Sequence, residues 1–186
     1  GVEMPKEIAG LLLAGLVTDT LNLTSPTTTP RDREVLIRLE ERSGVNARQF
    51  TEKLFATGSV LVSKPASQAI TADCKEYQEL GRLFSVAQIE EIGFEQFWKR
   101  KLEVLHALGD YRTQSHYYFA SLLVTDVDLQ TSLLLIAGPT EFQEQIDYDQ
   151  LDMYPELGCA IYELPGIVSR KKQLLPYLTH CLKKME

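Results

Sequence analysis

The hydrophobic and polar positions of the first sixty residues predict three helices. Residues 5–22 form an apolar stretch with Pro5 at its start and Glu7 in its first turn, which is typical of a helix beginning. Apolar residues surround nearly the whole of this helix, so we expect it to be deeply packed. Residues 23–30, rich in Thr and Pro, are expected to form an extended linker.

Two amphipathic helices are predicted after this linker. Thr29 and Asn46 have side chains that favour helix N-termini, and each precedes a segment with apolar residues at helical spacing. Gly44 and Gly58 stand where these helices should end.

The middle of the chain is predicted to form a hairpin followed by a helix. Residues 73–90 have the composition of two strands joined around Gly81. Residues 94–109 are expected to form a helix that ends at its last residue, a glycine, with Trp98 and Leu102 on the packed side.

The rest of the pattern predicts the centre of a sheet and a final helix. Residues 117–127 and 132–138 are apolar runs expected to be central strands, and residues 159–164 are expected to be another strand. Ser169 should cap the last helix, and Pro176 should kink it or divide it into two short segments. The predicted fold is α/β: a mixed sheet of about five strands with helices on both faces, preceded by an N-terminal helix and a linker.

Composition narrows the class of protein. The 186 residues are 44% hydrophobic and 24% charged, which fits one main compact domain. A formal net charge of −7 argues against a general nucleic-acid partner. No apolar run reaches membrane-spanning length, so we expect no membrane partner. Three cysteines without metal-binding spacing suit the reduced thiols of a cytoplasmic protein: Cys74, Cys159 and Cys181.

The candidate chemistry begins with a basic run, Arg170, Lys171 and Lys172, directly after Ser169. Free backbone N–H groups and the helix macrodipole make a helix N-terminus positive, so three cations there repel one another unless an anion lies among them. A phosphate group would suit this position. A solvated helix end is the alternative. Lys75 lies on a predicted strand, where a lysine is usually exposed to solvent, and its spacing indicates no special role.

Carboxylates and histidines give weaker signals. Asp19, near the end of an apolar helix, needs a partner, a metal or solvent, and a partly exposed position at the end of the helix is the simplest explanation. Two Asp-x-Asp pairs, at 126–128 and 147–149, are of a kind common on loops as well as at metal sites. Three histidines lie outside any recognisable metal motif and are expected to have core or surface roles: His106, His116 and His180.

Several segments, taken together in their order along the chain, are more informative than any one of them alone: Gly10–Thr20 with Ser25–Asp32, Asp73–Tyr77, Ala87–Glu90, Val124–Val127 and Ser169–Pro176. In this combination the chain resembles the C-terminal part of family II, manganese-dependent inorganic pyrophosphatases, members of the DHH phosphoesterase superfamily. The Ser-Arg-Lys-Lys-Gln segment is the most specific. One departure is Glu90-Glu91, where the family more often has Asn-Thr or Glu-Thr.

The resemblance implies a division of the chain and roles for its residues. Residues 1–25 would be the last helix of a truncated DHH domain with its hinge, and residues 26–186 the C-terminal DHH-associated, substrate-binding domain. Asp19 would be a ligand of a dinuclear metal centre. The phosphates of the substrate would be bound by Lys75, Arg170 and Lys171. Supporting positions would be Ser169, Lys172 and Gln88.

The implied function is metal-assisted hydrolysis of a phosphoanhydride, with pyrophosphate or polyphosphate as substrate and the missing N-terminal DHH domain as partner. Manganese, or magnesium or cobalt, would be held by the longer parent. No Asp-His-His motif is present here, so we expect the fragment to hold no metal and to be catalytically incomplete. Three alternatives stay open: an exopolyphosphatase, a non-catalytic nucleotide- or polyphosphate-binding regulatory module, and an interaction domain.

Overall fold

The computed structural model describes residues 4–185, except for the side chains of residues 55–58. The chain divides into two compact units, one ending at Gly58 and the other beginning at Ser59. The helices are α1 (Lys6–Thr20), α2 (Pro30–Ser43), α3 (Ala47–Gly58), α4 (Val60–Ser63), α5 (Ala66–Ala69), α6 (Glu95–Gln114), α7 (Thr140–Gln143) and α8 (Leu175–Lys183). Within the described range, no helix is both long and apolar enough to span a membrane.

The first unit consists of α1, α2 and α3, packed around a small apolar core. The predicted caps of α2 and α3 are confirmed. Thr29 and Asp32 form a reciprocal capping box, and Gly44 ends α2 in the left-handed conformation with φ 69°. Asn46 Oδ1 accepts a hydrogen bond from the N–H of the third residue of α3 at 2.9 Å. The core of this unit is formed by Ala9, Leu13, Val17, Leu36, Leu39 and Ala47.

The expectation that α1 would be packed all round was wrong. Ile8, Leu11 and Leu12 are 45%, 70% and 49% exposed, whereas Leu13 and Val17 on the opposite side are fully buried. The two other helices of this unit cover one side of α1. The presence of apolar residues on all sides of α1 therefore did not predict how much of its surface the other helices cover.

The predicted extended linker is a set of tight turns. Leu21, Asn22 and Leu23 have φ values of 47°, 51° and 67°, a left-handed conformation that is uncommon outside glycine. The N–H of Ser25 returns to the carbonyl of Thr20 at 2.8 Å. Hydrogen-bonded turns replace the extended conformation that the Thr- and Pro-rich composition favoured.

The second unit is built on a six-stranded sheet in the order β1-β2-β3-β4-β6-β5. Its strands are β1 (Cys74–Glu79), β2 (Arg82–Glu91), β3 (Ala120–Asp126), β4 (Thr131–Ala137), β5 (Asp149–Tyr154) and β6 (Cys159–Pro165). β2 and β3 are parallel, joined by the α6 crossover, and all other pairs are antiparallel. The predicted α/β class with a mixed sheet is confirmed, with β5 as the additional strand.

Helices cover both faces of this sheet. One face packs against α4, α5 and α6 through a core that includes Phe97, Val104 and Leu122. The other face packs against α7 and α8 through a core that includes Phe119, Phe142 and Leu178. The predicted arrangement of helices on both faces is therefore correct.

Helix α6 differs from the prediction in its length and its exposed side. It continues through the glycine at position 109 to Gln114, because buried Leu105 and Leu108 keep it packed and one interior glycine costs only about 1 kcal/mol. Trp98 and Leu102, predicted to be packed, are 41% and 54% exposed.

The last helix begins with a π-helical turn, Arg170–Leu174, that passes directly into α8. Ser169 caps this turn as predicted, accepting a hydrogen bond from the N–H of Lys172. The N–H of Leu174 reaches back five residues to the carbonyl of Ser169 at 3.1 Å. Pro176 lies at the start of α8, so the predicted division into two short segments is a change from π to α geometry just before the proline.

Candidate phosphate-binding site

The candidate site lies where the parallel strands β2 and β3 end, on the face of the sheet that α8 covers. The strand register places Glu90 opposite Thr125, and Thr125 opposite Ser132. Gln88 precedes Glu90 by two residues and therefore lies on the same face. Ligands of α/β sheets commonly bind at the carboxyl ends of parallel strands.

The side chain of Gln88 ties the sheet to the start of the π turn. Its Nε2 donates to the carbonyl of Val168 at 3.1 Å and to the hydroxyl of Thr125 at 3.3 Å. Its Oε1 accepts a hydrogen bond from the backbone N–H of Arg170 at 3.1 Å. Gln88, Ser169 and Arg170, three of the site residues predicted from the sequence, are thus brought together.

A second amide, that of Gln173, fixes the loop before the turn. Its Oε1 accepts hydrogen bonds from the N–H groups of Val168 at 3.0 Å and Ser169 at 2.9 Å. Its Nε2 donates to the carbonyl of Gly166 at 2.8 Å. Sequence reasoning gave Gln173 no role, although it is the last residue of the Ser-Arg-Lys-Lys-Gln segment.

The guanidinium of Arg170 is held by Asp73, the residue before β1. Nη1 of Arg170 lies 2.5 Å from the backbone oxygen of Asp73 and 2.9 Å from its carboxylate Oδ1. The Arg170 side chain is only 14% exposed, whereas that of Asp73 is 58% exposed. Asp73 was not predicted as a site residue, although it begins the segment Asp73–Tyr77 that contributes to the family resemblance.

A second carboxyl group, Glu90, lies half-buried beside this pair. Burial, and to a smaller extent the negative charge of Asp73, raise the pKa of Glu90 to about 7. Near neutral pH this group is therefore only partly ionised, which limits the negative charge close to Asp73.

The lysines of the site are exposed. Lys75 pairs with Val86 across the hairpin, which places it on the face of the sheet that carries Gln88. Lys171 and Lys172 lie exposed on the π turn, and the first turn contains no acidic residue. Among residues 4–185, the ammonium groups of these three lysines have no hydrogen-bond acceptor or ion-pair partner.

The end of the helix itself offers little to a ligand. Gln88 occupies the backbone N–H of Arg170, and the Ser169 hydroxyl occupies that of Lys172. In the first three residues of the turn, the N–H of Lys171 is the group without an acceptor in the described part of the chain. An anion would thus be bound mainly by side chains.

The other candidate residues are an aspartate of the first unit, the Asp-x-Asp pairs and the histidines. Asp19 lies exposed near the C-terminal end of α1, in the first unit. Asp126 is 1% exposed, and its carboxylate accepts hydrogen bonds from the N–H groups of Asp128 and Leu129, so it shapes a loop. Across residues 4–185, no group of three or more His, Cys, Asp or Glu side chains is arranged to hold a metal ion. The three histidines are all exposed: His106, His116 and His180.

Comparison with known proteins gives the family. The model of the DHHA2 domain matches residues 52–181, which is most of the chain and includes the whole sheet. The chain belongs to the DHHA2 domain family. The DHHA2 match contains all the predicted phosphate-binding residues, whereas Asp19 precedes it.

Relatives of this DHHA2 domain are named as pyrophosphatases. The chain is 31% identical over 182 residues to a probable manganese-dependent inorganic pyrophosphatase of Lactobacillus johnsonii, covering 98% of the chain and 58% of that protein. It is 33% identical over 180 residues to one of Streptococcus equi subsp. zooepidemicus, covering 96% of the chain and 56% of that protein. The chain therefore spans little more than half the length of these relatives.

A solved structure agrees with the fold of the DHHA2 chain. The chain is similar, with a TM-score of 0.80 and 27% identity, to the crystal structure of a putative family II inorganic pyrophosphatase from Methanococcus jannaschii. The match covers 98% of the chain and 57% of that protein.

Proposed function

We propose that this chain is the substrate-binding part of a longer metal-dependent inorganic pyrophosphatase, in which Lys75, Arg170 and Lys171 bind the phosphate groups of pyrophosphate. The observation that carries the proposal is the fixed position of Arg170. Gln88 holds its backbone and Asp73 holds its guanidinium, at the carboxyl ends of β2 and β3.

The chemistry of these residues suits a phosphoanhydride. A planar Arg fork and two Lys ammonium groups match the charge of phosphoryl oxygens, and such cations stabilise the charge that develops on them during phosphoryl transfer. Ser169 and Gln88 support the turn, and Lys172 adds positive potential.

We propose that cleavage needs residues beyond those described. A two-metal hydrolase requires several convergent ligands, and within residues 4–185 Asp19 is the one carboxylate that the family resemblance assigns to such a centre. One carboxylate does not form a dinuclear site, so the residues described here do not fit the manganese centre. In the longer protein, manganese would supply the hydrolytic chemistry.

The domain boundary is part of the same proposal. Residues 1–25 would be the last helix and hinge of a preceding metal-binding domain, and residues 26–186 the domain that carries the phosphate-binding residues. The exposed apolar side of α1, formed by Ile8, Leu11 and Leu12, supports this, because such a surface is the kind that another domain covers.

The test is a calorimetric titration of this chain with inorganic pyrophosphate. We expect the Arg170→Ala and Lys75→Ala variants each to bind about tenfold more weakly than the wild type, because each loses a charge-assisted hydrogen bond. Lys184→Ala, which removes a cation at the other end of α8, is the matched control and should bind as the wild type does. Equal pyrophosphate affinities of the wild type and all three variants would contradict the proposal.

In the longer protein, the same two variants should lower kcat while leaving manganese affinity nearly unchanged. Parallel loss of manganese binding would contradict the division of roles. Tripolyphosphate, titrated alongside pyrophosphate, distinguishes an exopolyphosphatase, which should bind the longer chain at least as tightly.

A further inference from the structure

We infer that Asp73 is a positioning residue, which orients the guanidinium of Arg170 for phosphate binding; this inference rests on the proposed function. Asp73 accepts from Nη1 of Arg170 through two oxygens, its backbone carbonyl and its carboxylate Oδ1. No other hydrogen bond or ion pair of the guanidinium is present among residues 4–185. The other two nitrogens, Nε and Nη2, therefore keep their N–H groups free to donate.

The arrangement leaves one edge of the guanidinium fixed and the rest available. Arginine binds a phosphate through two parallel N–H groups, and this needs the plane of the group to have a defined orientation. A long side chain that is free before binding loses rotamer entropy when the ligand orders it. With Nη1 held by Asp73, that entropy is lost on folding and not on binding.

The backbone around Asp73 is itself anchored. Its carbonyl oxygen accepts a second hydrogen bond, from the backbone N–H of Gln88 at 3.0 Å. Gln88 in turn holds the backbone N–H of Arg170. Asp73, Gln88 and Arg170 thus form a closed ring of contacts. The backbone of the arginine is fixed by β2, and its guanidinium by the residue before β1, which is itself hydrogen-bonded to β2.

A positioning role and a simple charge effect predict opposite results. Removal of a negative charge from beside a cationic cluster strengthens its attraction for an anion by Coulomb's law. Loss of the orienting contact weakens binding, because the arginine must then be ordered by the ligand. The sign of the change in affinity therefore decides between them.

The experiment titrates the 186-residue chain with inorganic pyrophosphate, as wild type, Asp73→Ala and Asp73→Asn. We expect Asp73→Ala to bind pyrophosphate about three- to tenfold more weakly, because Arg170 loses the carboxylate contact that orders its side chain. Asp73→Asn keeps an acceptor oxygen and should restore most of the affinity. Glu144→Ala, which removes an exposed carboxylate after α7, is the control for charge alone and should bind as the wild type does.

A second readout does not depend on pyrophosphate. The Nε–Hε resonance of Arg170, assigned by its absence in Arg170→Lys, should show a rigid side chain in the wild type and a mobile one in Asp73→Ala. Equal or tighter binding by Asp73→Ala, or an equally rigid Arg170 in that variant, would overturn the inference while leaving the proposed function standing. Failure of the wild type to bind pyrophosphate would overturn both.

Discussion

At the scale of single residues, Glu90 links the candidate site to the stability of the fold. Its pKa is raised to about 7 by burial and by Asp73, from 4.5 for a free glutamate. Because the folded pKa is the higher one, the stabilising contribution is complete below about pH 4.5 and is lost as the pH rises through about 7.

The Glu90→Gln variant should lack this loss. We expect the difference in free energy of unfolding, variant minus wild type, to grow by on the order of 2 kcal/mol as the pH rises from 5 to 8, because only the wild type loses stability through this group. Urea unfolding of both proteins at several pH values measures the difference, in which other titrating groups cancel. A constant difference across that range would show that Glu90 titrates normally.

The sequence predicted the cations of the site better than the groups that hold them. Arg170 and Lys171 were marked by their unusual charge at a helix start and by their segment. Asp73 begins another of the resembling segments, but its role was missed, because the partner of an arginine is set by tertiary contacts, here between segments almost a hundred residues apart. Gln173 was missed for a related reason: an amide has no charge that makes its position unusual.

At the scale of elements, β3 and β4 were predictable, whereas β5 was not. β3 and β4 are nearly fully buried on both faces and therefore form unbroken apolar runs. β5 is an edge strand with three exposed residues at its start and an irregular register between Gln150 and Asp152. Its sequence lacks the alternation that marks a half-buried strand.

Gly138, directly after β4, provides a test of how tightly these strands pack. A Cβ atom added there would lie 2.8 Å from Cβ of Phe119, which is fully buried. We expect Gly138→Ala to lower the free energy of unfolding by about 1–3 kcal/mol, measured by thermal or urea unfolding.

Gly109→Ala is the matched control for this substitution. A Cβ at position 109 would be in ordinary contact with the carbonyl of Leu157 at 3.6 Å, and it would improve helix propensity inside α6. We expect a gain of up to about 1 kcal/mol. Equal effects of the two substitutions would contradict the close packing at Gly138.

At the scale of the whole molecule, the second unit should fold without the first. A fragment beginning at Ser59 keeps the cap of α4, in which the Ser59 hydroxyl also donates to Glu91 Oε1 at 2.9 Å. It also keeps the sheet with both of its apolar cores. We expect cooperative unfolding, a dispersed NMR spectrum and the pyrophosphate affinity of the whole chain. A fragment with native helix content but no cooperative transition would show that the units depend on each other.

The proposal that a further domain covers α1 can be tested at Leu11, which is 70% exposed. In this chain, Leu11→Asp should change the free energy of unfolding by less than about 0.5 kcal/mol, as is usual for surface positions. In the longer protein it should cost on the order of 2 kcal/mol or more, because a charge would then be buried without a partner. Leu129→Asp, at a position 73% exposed, is the control. A negligible effect of Leu11→Asp in the longer protein would argue against a domain docked on α1.

The π turn makes the candidate site depend on the number of residues as well as on their kind. A π turn holds one residue more than the α turn that it replaces. Loss of a single codon between 170 and 174 would let the helix relax to regular α geometry and keep its apolar contacts. The residues before the deletion would then rotate by about 100° about the helix axis, the angle of one α-helical residue. Arg170 would leave Gln88 and Asp73 although every one of these side chains was still encoded.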